Sequence, residues 1–172
     1  MRYLYIFVLF LAFIFNGCEN QTPTNSMQDE SADMQGLAFA KQGYNFTAHL
    51  SGDQEVPGRA TKATGQAIFK LSKDGSSLHY KLIVSNIDSV RFSHIHFGAA
   101  GVNGGVVAFL YPGPFLDTQD GILAEGTITD MEVIGAFAGD LSALVAEMRN
   151  GNTYVNVHTN TYPGGEVRGQ IK

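Results

Sequence analysis

Three histidines carry the chemistry that this sequence offers. His94 and His96 are separated by a single residue in "FSHIHFG", and His158 lies far downstream in "YVNVHTN". In an extended strand, residues two apart project from the same face, about 7 Å apart along the chain. His94 and His96 therefore point together, while Ile95 and Phe97 point oppositely, toward the core. A transition metal accepts an imidazole nitrogen at about 2.0–2.1 Å, so the pair has the geometry of a bidentate clamp. In "YVNVHT" the inward residues are Val155 and Val157, which turns Tyr154, Asn156 and His158 to the outer face. The same parity in "GEVRGQIK" sends Val167 and Ile171 inward and Glu166, Arg168 and Gln170 outward. If these two segments pair across "NTYPG", Glu166 lies near His158 and Arg168 near Asn156. Two outward histidines on one strand can equally be solvated surface residues, and spacing alone leaves both readings open. His49 and His79 alternate with core residues of their own segments and read as surface positions.

The elements that must hold these residues are short strands. Phe46, Ala48 and Leu50 share a face in "YNFTAHLSG", and "TGQAIFKLS" follows a polar loop. The Asp-Gly signal in "KDGSS" predicts a hairpin between that second strand and "LHYKLIVSN". "VRFSHIHFG" reads as a fourth strand, "GGVVAFLYPG" as a fifth and "GILAEGTIT" as a sixth. Asp140 caps a single short helix in "LSALVAEMRNG", where Leu141, Leu144, Val145 and Met148 follow helical spacing and Gly151 stops the turn. The final hairpin joins "NTYVNVHT" to "GEVRGQIK". Six to eight strands with frequent turn signals and one helix predict an all-β fold, a Greek-key β-sandwich or barrel.

Composition narrows the function classes. The formal net charge is −5 and no Lys/Arg-rich run is present, which argues against nucleic acid as a partner. No G-x-S-x-G elbow, phosphate-binding loop or dinucleotide fingerprint occurs. "GAAGVNGG" joins two predicted strands and so reads as a turn, not a phosphate cradle. Met1 and Arg2 precede the apolar run "YLYIFVLFLAFIF", which has the length of an export-signal core and is short for a membrane span. The run ends at "FNGCEN", and Cys18 is the single cysteine of the chain. This junction resembles a bacterial lipoprotein processing site, which implies lipidation of Cys18 and a membrane anchor at the cell envelope, periplasmic or surface-exposed. An ordinary signal with an incidental cysteine, giving a secreted protein, and an uncleaved anchor are the alternatives. Residues 1–18 are read as the signal with its cysteine, 19–42 as a flexible polar linker and 43–172 as the folded domain.

"FSHIHFGAAGVNGGVVAFLYPG" together with "YVNVHTNTYPGGEVRGQI" resembles the signature of the CHRD (chordin-type) domain, and "FTAHLSGDQEVP" resembles its opening. The resemblance implies an extracellular β-rich module and by itself implies no reaction. A more distant similarity is to copper/zinc superoxide dismutases. There a His-x-His strand supplies two copper ligands, a later strand another, and a Gly-rich turn leads to an arginine that attracts superoxide. This resemblance implies copper at His94, His96 and His158, with Arg168 as a catalytic cation flanking an open coordination position. No histidine lies between His96 and His158, and the domain holds no cysteine. The bridging ligand, the zinc loop and the disulfide of those enzymes thus have no counterpart, which leaves a mononuclear site.

Two functions of different class follow. One is an envelope-tethered domain that binds copper, with or without superoxide dismutase-like turnover. The other is a metal-free adhesive or protein-interaction module with an extracellular protein partner, in which the glycines shape turns and the histidines decorate the surface.

Overall fold

Alternation of apolar and polar residues builds the first strand as expected: in β1 (Asn45–Ser51) Phe46, Ala48 and Leu50 are buried and their neighbours face out. The computed structural model describes residues 43–172, so the signal, Cys18 and the linker expected over 1–42 lie outside the described residues. Among the described residues the order continues through β2 (Thr64–Leu71), β3 (Leu78–Phe97), β4 (Gly105–Tyr111), β5 (Leu116–Ile128), α1 (Leu141–Arg149), β6 (Thr153–Thr159) and β7 (Val167–Gln170).

The β2–β3 hairpin turns where predicted. The Asp74 carboxylate accepts hydrogen bonds from Ser72 Oγ, Ser76 N and Ser76 Oγ, and Gly75 takes a φ of 75°. The helix also starts and stops as expected. Asp140 Oδ1 accepts from Ala143 N at 2.9 Å, Gly151 closes the C-terminus at φ 72°, and Leu141, Leu144, Val145 and Met148 are buried.

The third and fourth predicted strands are one element. β3 runs 20 residues without ending its ladder. "SNIDS" carries turn-forming residues, but here they redirect the strand instead of reversing it. Asn86 and Ser89 adopt positive φ (54° and 58°), and the pairing shifts register between Val84 and Ile87. Such irregularities bend a strand and increase its twist. The first half of β3 pairs with β2 and β5, and the second half with β4 and β6.

That bend lets the sheet close. The path β2, β1, β7, β6, β3 returns to β2, giving a barrel with β4 and β5 as additional strands. The seam between β1 and β7 is narrow: Ser51 pairs with Arg168, and Thr47 and Lys172 exchange two 2.9 Å backbone bonds. Phe69, Leu82, Ile95, Val155 and Val167 fill the interior.

Phe97 departs from its expected place. It is 38 % exposed and packs edge-on against Phe137 with ring centroids 4.9 Å apart. It has the inward parity of Ile95 but is the last residue of β3, so it lies past the end of the core.

Candidate metal centre

The second half of β3 lies between β4 and β6, and this sets the environment of its outward side chains. His94 stands opposite Phe109 of β4 and Asn156 of β6, while His96 stands opposite Val106 and Tyr154. β7 continues the outer face, with Arg168 opposite Asn156 as the alternation predicts. His158, two residues beyond Asn156 on β6, completes the group.

The three imidazoles converge. One donor nitrogen from each of His94, His96 and His158 lies within 4.8 Å of the other two. His94 Nδ1 and His158 Nε2 are 3.2 Å apart. Two nitrogens on a tetrahedral metal at 2.0–2.1 Å are separated by about 3.3 Å, so this pair already has the required spacing.

Backbone carbonyls decide which nitrogens are free. His96 Nδ1 donates to Gly104 O at 2.9 Å, and His158 Nδ1 donates to Pro163 O at 2.9 Å. A carbonyl only accepts, so both rings carry their proton on Nδ1 and present a bare Nε2. Such outer hydrogen bonds hold metal-binding histidines in one tautomer and one orientation. The loop carrying Gly104 comes so close to β3 that a Cβ at Gly104 would fall 1.6 Å from Phe97 O. Glycine is needed there for the carbonyl to reach His96.

The outer face was expected to be open, and here it is not. His94 and His96 are each 8 % exposed. Phe109 meets the His94 ring edge-on at 4.6 Å, and Phe92 stacks on it at 6.1 Å. The loop after β6 is pinned by Arg59 Nε donating to Gly165 O at 3.2 Å. Burial lowers the pKa of all three imidazoles, and the neighbouring imidazoles reinforce it for His94, which falls to about 3. All three rings are therefore neutral at physiological pH, the form that binds metal.

Two expected neighbours take other roles. Glu166 neither reaches the triad nor pairs with Arg168; its carboxylate accepts from Thr61 Oγ1 and Thr159 Oγ1, each at 2.7 Å. The carbonyl of Pro163 orients His158. Arg168 is 1 % exposed, and its guanidinium donates to Ala99 O at 2.9 Å, Val102 O at 3.0 Å and Asn103 Oδ1 at 3.3 Å. It also lies 3.4 Å from the centroid of Tyr154, whose ring stacks on His96 at 4.8 Å and 5°. The expected free cation beside an open position is instead a buried clamp on the 98–104 loop. Strand pairing fixes Arg168 between β1 and β6, opposite Ser51 and Asn156, and guanidinium N–H donors out of water must find acceptors.

A family model for the CHRD domain matches residues 46–171, a span that contains every strand but the first residue of β1, and all three histidines. The chain belongs to the CHRD family. No curated protein gives a match. In this CHRD domain the three histidines could hold a metal ion, and the two stretches on which the sequence resemblance rested, around His94 and around His158, lie on the two paired strands that bring them together. Cys18, the expected lipidation site, lies outside the described residues.

Sequence parity had set Tyr154 and Asn156 on the triad's face without assigning them a part. Glu55, buried beside Arg168, was missed. It lies in the loop after β1, where no periodicity applies and only the closed barrel brings it to β6 and β7.

Proposed function

We propose that this CHRD domain is a copper-holding module whose ligands are His94, His96 and His158. One observation carries the reading: three imidazoles, two buried and one half-buried, bring their donor atoms within 4.8 Å, and two of the rings have Nδ1 committed to backbone carbonyls. Neutral nitrogen donors suit copper and zinc, and copper binds most strongly among the first-row divalent ions. A structural zinc site usually closes with four protein ligands, so three imidazoles favour a centre with a further position.

When bound, the ion supplies redox chemistry. The protein supplies an aromatic-lined setting and three converging rings, of which His96 and His158 are held in one tautomer by backbone carbonyls. Arg168 is buried with its guanidinium turned to oxygens of the 98–104 loop, so it does not stand open to an incoming anion, and copper retention is the primary activity in this reading. Dismutase-like turnover is the finer claim, tested by a superoxide assay on the copper-loaded chain.

The decisive experiment loads the full chain with Cu(II) and compares it with a His94→Ala, His96→Ala double variant by stoichiometry and electron spin resonance. We expect one tight copper per chain, lost in the variant. Equal binding by both proteins would overturn the reading in favour of the interaction module. That second reading has its own support: Phe92 and Phe109, on either side of His94, are exposed and could meet a partner.

The apolar run over residues 3–15 and the lone Cys18 support an envelope-anchored lipoprotein as the setting. Copper would be met there outside the cytoplasm.

A further inference from the structure

Three buried polar atoms beside the triad make no hydrogen bond: His96 Nε2, Asn156 Oδ1 and Glu55 Oε1. Buried polar atoms almost always have a partner, and one that lacks it points to a missing ion or water. His96 Nε2 is a bare lone pair, because that ring's proton is given to Gly104 O. The Asn156 side chain, 2 % exposed, lies against the same imidazole and contributes to its protonation equilibrium. An amide oxygen is also only an acceptor. Asn156 stands opposite His94 and two residues before His158 on the same face, so two buried acceptors without donors share one patch with the triad, an arrangement that a cation relieves.

The amide's orientation is fixed from its far side. Gly165, at φ 119°, brings the backbone so close that a Cβ there would lie 2.2 Å from Glu55 Oε1 and 2.9 Å from Asn156 Nδ2. Glu55 and the Asn156 nitrogen therefore occupy one small space. The NH2 end of Asn156 therefore lies on the Glu55 side, where a carboxylate favours a donor, and the carbonyl end lies away from it. Burial raises the Glu55 pKa, while Arg168 and the Asn156 amide act to keep it ionised.

We propose that Asn156 Oδ1 is a fourth, oxygen donor to the ion held by His94, His96 and His158, and that Glu55 is the positioning residue that aims it. The proposal rests on the three-histidine reading above. It changes the donor set from three nitrogens to three nitrogens and one neutral oxygen, without changing the site's charge.

The test uses the full chain labelled with 15N and titrated with Zn(II), following the side-chain amide signals that Asn156→Asp removes. Those signals should shift as one equivalent binds. In parallel, Co(II) affinity and visible spectrum are compared among wild type, Asn156→Leu, Asn156→Asp and Glu55→Gln. Asn156→Leu should lose about 10–100-fold in affinity with an altered spectrum, Glu55→Gln should lose less, and Asn156→Asp should bind more tightly. Amide signals that stay in place at Zn(II) saturation overturn the proposal, and this measurement holds even if Asn156→Leu does not fold. So does a folded Asn156→Leu with wild-type affinity and spectrum. If only His94→Ala, His96→Ala abolishes binding, the three-histidine centre stands and the fourth donor falls. If that variant also binds like wild type, the centre itself is wrong.

Discussion

His94 and Arg168 show how burial changes what a side chain does. His94 keeps a neutral ring because burial, with the nearby His158 and His96, holds its pKa at about 3 against an ordinary 6.5. The sign of the consequence follows from linkage. Below pH 6.5 the unfolded chain binds a proton at this position and the folded chain does not, so stability is complete above pH 6.5 and declines as the pH falls toward 3. For His94 alone the loss at pH 5 is about 2 kcal/mol, and the lowered His96 and His158 add to it in the same direction. Urea unfolding of the metal-free protein at pH 7.5 and pH 5 checks this. His94→Ala should flatten part of the dependence, and equal stability at both pH values would contradict the assignment. Arg168→Met should remove about 2–4 kcal/mol of stability, because Ala99 O and Val102 O lose their donor and Glu55 its counter-charge. The same unfolding assay at pH 7.5 measures it; a change below about 0.5 kcal/mol would mean the clamp is idle. Both residues were legible as outward-facing from strand parity. Their burial was not, since it comes from loops whose paths no periodicity encodes.

The 98–104 loop and β3 illustrate the next scale. β3 is legible as two strands because apolar and polar residue types alternate in each half of its sequence, Leu78 to Val84 and then His94 to Phe97, on either side of a turn-like stretch. Their fusion depends on two positive-φ residues that resemble a turn in sequence. The loop reads as a glycine-rich turn, and so it is, but its path over Phe97 delivers the carbonyl that sets the His96 tautomer. Gly104→Ala should therefore act on fold and site together. The clash with Phe97 O forces the loop away, costing about 1–3 kcal/mol and lowering metal affinity about 10-fold. Gly105→Ala is the matched control, because a Cβ at Gly105 meets no atom within 4 Å. Thermal unfolding and Co(II) titration of the two variants should separate them; indistinguishable behaviour would remove the loop from the account.

At the scale of the whole molecule, barrel closure places β1's following loop, the β6–β7 hairpin and the β3–β4 loop around one point. Glu55, Asn156 and His96 are distant in sequence and adjacent only because the sheet closes on itself. The proposed setting belongs to this scale too. Cys18→Ser should move the protein from the membrane fraction to a soluble one and abolish incorporation of labelled palmitate, while copper binding by the domain persists. Retention in the membrane with no label in the unaltered chain would favour an uncleaved anchor.

The sequence alone determined the all-β class, the strand faces, the capped helix, the family and the identity of the three candidate ligands. All of these rest on local periodicity, short turn signals and contiguous motifs, which act over a few residues. The tertiary structure alone decided that the outer face is covered, that β3 is continuous, that Arg168 is a clamp and that Asn156 and Glu55 attend the histidines. Those outcomes depend on which distant segments meet when the barrel closes. Burial and hydrogen-bond partners are properties of that meeting, not of any one stretch of chain.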